Sequence, residues 1–502
     1  MLGTNSNLKV LYRLGIFSIF SFLLILFVSY RYPNSASQRE QPNIIFVLMD
    51  DLGYETAIQG DSIVGIGTSK PIIAPVMRQQ LQANALVLSN AYSSPVCTPS
   101  RVQISTGDYL YRSYQQFGQL NWNARTLAQN LLWNGYNTMV CGKWQMQGNI
   151  AFVSPSKFEE DYSTVDIENP RRLGYKDYLL HAVKENGQIY ANCSSYYYQN
   201  DSVACNPGDF GPYVVLEYFK SFINKHKNSN RPFFIDYRML LPHDPFQPVP
   251  SHPDYPNDTI NNARYLPEMI TLTDSIIGAI IEEVDKTPEL HQGAGTAVII
   301  YSDNGSSRGW ITNNPEGNPA TGWGIFTKIN NVGEYNGNKS LSTYLGCHIP
   351  AFAYYVGPYR KYTPGEIYSA PIGLVDLYAT ILDLAKLWQH SKKDGISIAD
   401  KIVSYVPNRS NRDILFQYYH PFFESVTNQR QGTNVNSFAT NGDFWLDSRG
   451  RFYNLKDSLD WELLDTLSPS PGEEQLNYEL LDSVLQLHPK AEEFNKPLMT
   501  PE

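Results

Sequence analysis

Cysteine is scarce, with five in 502 residues, and this excludes the small disulfide scaffolds of secreted domains. Basic residues are outnumbered, 39 Lys and Arg against 49 Asp and Glu for a formal charge of −10. The chain therefore carries no cationic footprint for nucleic acid, although a local pocket for one small anion is compatible with this balance. No His or Cys cluster has the spacing of a zinc site, which argues against zinc. There is no repeat period and no low-complexity block. Charged residues are only 18% of the chain, against 42% apolar and 13% aromatic, so it is no disordered tail and can bury a large core. Length alone suggests three units; since α/β units run long, two are expected.

Long hydrophobic runs are also missing, with one exception. Residues 14–30, LGIFSIFSFLLILFVSY, follow Lys9 and Arg13 and stop at Arg31. This uncharged run sits at the lower edge of what spans a bilayer. Residues 1–40 thus read as a signal anchor, or as a signal peptide cut near Ser35-Ala36-Ser37. Either outcome sends the chain into the secretory pathway, membrane-anchored with its bulk luminal or extracellular, or secreted or lysosomal once cleaved. In that setting Asn192, Asn200, Asn257 and Asn408 head glycan acceptor triplets. Cys193 and Cys205 could pair across a polar loop, and an odd total leaves at least one thiol over.

From Pro42 onward, short β-branched runs alternate with amphipathic segments, the pattern of an α/β unit with a mainly parallel sheet flanked by helices. Residues 43–49, 137–141, 232–239 and 296–301 are nearly continuous in apolar residues, as strands covered on both faces should be. Residues 125–133 read as a helix closed by Gly135, and Met269, Leu272, Ile276, Ile280 and Val284 recur at helical spacing. After Leu387 the texture becomes polar and then Tyr- and Phe-rich. The α/β unit is expected at 41–388 and a smaller C-terminal α+β unit at 389–502.

Ligands of open parallel sheets bind beyond the carboxyl ends of the strands, and the ends here are chemically crowded. The first strand runs into Asp50-Asp51, the second into Gly142-Lys143, the third into Pro242-His243 and the fourth into Ser302-Asp303-Asn304. One carboxylate after a strand is usually a cap or turn former. Asp50, Asp51, Asp303 and the Asn304 carbonyl taken together are hard oxygen ligands suited to Ca²⁺ or Mg²⁺. Pro95-Val96-Cys97-Thr98-Pro99-Ser100-Arg101 adds a helix start at Pro99, which would put Cys97 beside exposed N–H groups where negative charge is favoured.

Cys97-Thr98-Pro99-Ser100-Arg101 resembles the C-x-P-S-R signature of the sulfatases, formylglycine-dependent and arylsulfatase-like members of the alkaline-phosphatase superfamily. Residues 43–54 (NIIFVLMDDLGY) resemble that family's first metal-binding strand and turn, and Ser105-Thr106-Gly107 continues the signature. Gly142-Lys143-Trp144 is similar to its G-K-W motif, Pro242-His243-Asp244-Pro245 to its P-H-x-P and Ser302-Asp303-Asn304-Gly305 to its S-D-N-G. Lys339 stands where its second active-site lysine is expected. The likeness covers roughly residues 42 to 385 and implies an alkaline-phosphatase-like fold. It implies hydrolysis of sulfate monoesters, the substrate being a sulfated small molecule or glycan, through a formylglycine made from Cys97 by a formylglycine-generating enzyme during export. One Ca²⁺ would be held by Asp50, Asp51, the modified Cys97, Asp303 and Asn304. Arg101 would orient the modified side chain, Asp303 would act as base, and Lys143, His243 and Lys339 would meet the sulfate, His243 and Lys339 protonating the leaving oxygen.

Two departures stand out. Gln145 occupies the place of the family's usual histidine after G-K-W and cannot titrate. The run from Thr343 to His348 replaces an acidic, double-glycine and arginine segment; His348 there reads as structural and is kept out of the site. Two other readings compete: a phosphomonoesterase or phosphodiesterase of the same superfamily, and a membrane-tethered binding protein that has lost turnover.

Overall fold

The structure, a computed structural model, describes residues 40–65, 68–114, 117–118, 120, 124–146, 169–181, 196–198, 209–257, 263–307, 326–329, 333–387, 393–419, 436–456, 462–464 and 472–488. The apolar run at 14–30, the triplets headed by Asn192 and Asn200, and both Cys193 and Cys205 lie outside the described residues. Among those described, no helix is long and apolar enough to cross a membrane.

The apolar runs form a nine-stranded sheet. In chain order its strands are β1 (Asn43–Met49), β2 (Leu86–Leu88), β3 (Asn137–Lys143), β4 (Asp177–His181), β5 (Tyr196–Tyr198), β6 (Phe233–Arg238), β7 (Thr296–Ser302), β8 (Phe352–Val356) and β9 (Ile367–Tyr368). Across the sheet they run β9-β2-β8-β7-β1-β6-β3-β4-β5. The five from β7 to β4 are mutually parallel, while β8 runs antiparallel to β7 and β2, and β5 to β4.

Strand β1, the middle one, shows why the runs are unbroken. Ile44, Phe46 and Leu48 point into one core and Ile45, Val47 and Met49 into another, as the two-residue side-chain period requires of a sheet covered on both faces. The first core is closed by α1 (Cys97–Thr106), α2 (Leu127–Trp133) and, later in the chain, Leu374–Leu384; the second by α3 (Gly211–His226) and α4 (Leu266–Asp285). Helix α2 begins later than the sequence pattern predicts because Thr126 caps it: its Oγ1 accepts from the Gln129 amide at 3.1 Å, and Gln129 Oε1 accepts from the Thr126 amide at 3.1 Å.

The C-terminal texture corresponds to a five-stranded antiparallel sheet of β10 (Leu415–Tyr419), β11 (Asn436–Thr440), β12 (Phe444–Asp447), β13 (Phe452–Asn454) and β14 (Glu462–Leu464), paired in chain order. A last helix, Glu473–Leu487, packs Leu481 against it. The segment just before this sheet still belongs to the first core, through Ala399, Ile402 and Val403. Leu415, Phe438 and Trp445 pack on Tyr92 and Cys347, so the small sheet seats directly behind the segment leading to Cys97.

Candidate active site

Register brings the acidic residues together. Met49 of β1 pairs with Ser302 of β7, and the Asp303 amide donates to the Met49 carbonyl at 3.0 Å, so Asp50 and Asp303 leave adjacent strand ends side by side. Asp51 turns with a left-handed φ of 65°; its amide donates to Asp303 Oδ1 at 3.2 Å and its Oδ1 accepts from Asn304 Nδ2 at 2.8 Å. Lys143 is the last residue of β3 rather than one beyond it, and its Nζ lies 2.9 and 2.7 Å from the Asp50 oxygens. Its neighbour Gly142 (φ 97°) is required by the close approach of β6: a Cβ there would lie 1.7 Å from the Arg238 carbonyl oxygen.

Helix α1 starts at Cys97 itself, not at Pro99 as the sequence suggests. The Cys97 sulfur sits 3.8 Å from Asp51 Oδ1 and 3.7 Å from Lys143 Nζ. One turn on, Arg101 donates to Asp303 Oδ2 at 2.7 Å, to Asp50 Oδ1 at 3.3 Å and to the Lys143 carbonyl at 2.8 Å. Its hydrogen bonds thus join two strand-end carboxylates. Lys339 approaches Asp51 Oδ2 at 2.5 Å and His243 Nε2 at 2.9 Å, and His243 Nδ1 bonds the Asp244 carbonyl. Asp50, Asp51, Cys97, Arg101, Lys143, His243, Asp303, Asn304 and Lys339 are therefore linked by direct contacts into one cluster, buried apart from the rim at His243 and Lys339.

Burying three carboxylates is tolerable only because cations sit among them. Burial alone would raise the Asp50 pKa, but Lys143, then His243, Arg101 and Lys339, hold it well below the usual carboxylate range. Asp303 goes the other way: burial, then the charge of Asp50, pushes it up to about 7 against the pull of Arg101. Burial also pushes the Cys97 thiol far above its ordinary value.

One ligand atom each from Asp50, Asp51, Cys97 and His243 lies within 4.8 Å of the others. Asn304 Oδ1 is buried with no hydrogen-bond partner among the described residues, an acceptor in want of a positive charge. Carboxylates plus an amide carbonyl fit a hard divalent cation. His243, assigned to the anion from sequence, thus also lies within reach of this set.

A family model described as Sulfatase matches residues 42–387. The chain belongs to the sulfatase family. Arylsulfatase J of Mus musculus is 25% identical over 404 residues, covering 77% of this chain and 60% of that protein, so the chain spans about three-fifths of that relative's length. An ulvan-active sulfatase of Formosa agariphila is 23% identical over 404 residues, covering 76% and 69%. Among solved structures, one in complex with its substrate D-glucosamine-2-N,6-O-disulfate superposes with a TM-score of 0.58 at 15% identity, covering 92% of this chain and all of that one. A phosphonate monoester hydrolase of Silicibacter pomeroyi gives 0.55 at 16% identity, covering 89% and 95%. The shared fold is the alkaline-phosphatase-like one implied by the sequence resemblance, and by itself it does not select the ester.

Around the sulfatase cluster lie further polar groups, among them a charged pair not expected from the sequence. Asp236 and Arg238 on β6 form a buried pair at 2.8 Å, with the Tyr175 hydroxyl on Asp236 at 2.6 Å and the guanidinium 4.9 Å from the Trp144 ring. Their signal was two charges at i and i+2, hence on one face, in an otherwise apolar strand. Gln145 has a φ of 54° and accepts from Thr98 Oγ1 through its carbonyl at 3.4 Å, while its buried Oε1 has no partner among the described residues. Cys141 and Cys347 are both unbridged and buried. His348, read as structural, pairs with Glu55 at 2.8 Å.

Proposed function

We propose that the chain hydrolyses sulfate monoesters through a formylglycine made from Cys97, with one calcium ion. The observation that carries this reading is the setting of Cys97: a buried residue at the first position of a helix, beside Asp51 and Lys143, whose thiol burial keeps protonated. A thiol that does not ionise is a poor nucleophile, so this position gains reactivity from conversion to an aldehyde hydrate, which supplies an oxygen nucleophile for sulfur. Asp50, Asp51, Asp303 and Asn304, with the modified Cys97, would hold the cation. When bound, the ion supplies a positive charge that lowers the pKa of a hydroxyl beside it.

The remaining steps belong to side chains. Asp303 would take up the proton of the attacking hydroxyl at its carboxylate. Arg101 and Lys143 fix the strand-end carboxylates through the bonds given above. Lys339 and His243 face the sulfate from the open side, and their 2.9 Å contact places a donor at His243 Nε2. With Nδ1–H held on the Asp244 carbonyl, the proton for the departing alcohol oxygen comes directly from Lys339, or from His243 when Nε2 carries a proton.

The names of the relatives favour a sulfated glycan as natural substrate. Passage through the secretory pathway, where a formylglycine-generating enzyme would act, accords with the N-terminal apolar run and with the exposed acceptor residues Asn257 and Asn408; residues 14–30 would anchor the chain if uncleaved. Gln145 favours the competing reading of a slow or silent binding protein, because its amide cannot remove the proton whose loss releases sulfate. Protein made in a secretory host should turn over an aryl sulfate for many cycles and do so faster than the matching aryl phosphate. A single burst would support the silent reading, and preference for phosphate the phosphoesterase one.

A further inference from the structure

Glu55 and His348 lie outside the reacting cluster, both buried, and the imidazole meets acceptors at both nitrogens. Nδ1 is 2.8 Å from Glu55 Oε1 and Nε2 is 2.9 Å from the Ser89 carbonyl oxygen. A carbonyl can only accept, so Nε2 must carry hydrogen; Nδ1 then needs a second proton to meet a carboxylate without repulsion between lone pairs. The three-part contact is balanced only when it retains one proton more than a neutral imidazole and an ionised carboxylate hold. Three tyrosine rings enclose the imidazole, with centroids at 4.4 Å for Tyr54, 4.6 Å for Tyr344 and 5.5 Å for Tyr92, and aromatic faces attract a buried cation. Burial holds all three phenols in their neutral form. Of the other titratable groups near this cage, Cys347 is a buried thiol and Asp443 a largely exposed carboxylate facing Lys456.

The pair also bridges the segments that carry the chemistry. Glu55 opens the helical turn that follows Asp50-Asp51, and the Tyr54 amide donates to the His348 carbonyl at 3.2 Å. His348 ends the segment that begins with Lys339, which is pinned by the Lys339 amide on the Ser306 carbonyl and the Ser340 amide on the Pro95 carbonyl.

We propose that Glu55 and the imidazolium of His348 form a buried positioning pair that sets Asp51 and Lys339 relative to each other, and so tunes cation binding and sulfate engagement. This rests on the sulfatase reading for its catalytic consequence, though not for its effect on cation affinity. The test is histidine-selective ¹⁵N NMR of the purified chain, with calcium titration and aryl sulfate kinetics on the wild type, Glu55→Gln, His348→Gln and His348→Arg. The expected result is a ring with both nitrogens protonated in the wild type at neutral pH. Glu55→Gln and His348→Gln should each lose roughly tenfold in calcium affinity and in kcat/KM, the range typical when a group supporting a metal ligand is removed. Combining Glu55→Gln with His348→Gln in one chain should be no worse than either alone. Arginine, a permanent donor to both acceptors, should restore the loss. A neutral, singly protonated ring, or unchanged calcium affinity in Glu55→Gln, overturns the proposal. Absence of turnover in the wild type counts against the sulfatase reading alone, since the NMR and the titration still judge the pair.

Discussion

Asp50 and Asp303 are neighbours whose protonation is driven apart, and this has a consequence for cation binding. The cation and the proton compete for Asp303, whose carboxyl is pushed up to about 7. Below that pH the proton must be displaced first, so calcium affinity is expected to fall by about tenfold per unit of acidification, and above it to level off. Calorimetric titration across pH 5.5 to 8.5 checks this, and an affinity flat with pH would show that Asp303 is not a ligand. Eight of the nine clustered residues were legible in the sequence because each stands near a strand end or helix start within a recognisable string, and Lys339 by its position alone. Glu55 and His348 were not legible as a pair: they are 293 positions apart, and only the packing of three segments brings them to 2.8 Å. The bonds of Arg101 to Asp303, Asp50 and the Lys143 carbonyl were not legible, since a residue type does not reveal which of several nearby acceptors it will bind.

At the scale of elements, β3 carries the tightest constraint. Gly142 combines a left-handed backbone with β6 packed against the space a methyl group would fill. Gly142→Ala should cost about 3 kcal/mol of stability, as overpacking a buried site does, and displace Lys143 from Asp50. Denaturant unfolding reads the first effect, and loss of turnover in the surviving folded fraction reads the second. Strand existence and direction were readable from apolar runs too long and too continuous to belong to a half-exposed sheet. Element ends were less so: Lys143 reads as loop from its charge, yet belongs to β3 because Asp50 neutralises it in place. Helix α2 starts late because the Thr126 side chain accepts from the Gln129 amide in its first turn, a choice that hydrophobic spacing alone does not encode.

For the whole molecule, the C-terminal sheet reaches into the catalytic unit through a buried polar junction. Gln417 of β10 donates to Ser94 Oγ at 2.9 Å and to Gln103 Oε1 at 2.7 Å, so it holds the segment before Cys97 and the middle of α1 together. Gln417→Ala should leave Ser94 Oγ on Gln103 Oε1 but take from the buried Gln103 Nε2 its acceptor, Gln417 Oε1 at 3.3 Å, costing about 1–3 kcal/mol, and lower kcat/KM although the residue touches no reacting group. Equal activity and stability would mean that the small sheet is only attached, not coupled. Nothing in the local sequence marks Gln417, because its partners come from another part of the chain. All of these expectations return to Cys97. The most direct measurement is mass spectrometry of the tryptic peptide ending at Arg101, from protein made in a secretory host and assayed in parallel. The account predicts an aldehyde at position 97, with activity in proportion to the converted fraction; an intact thiol in fully active protein would contradict it.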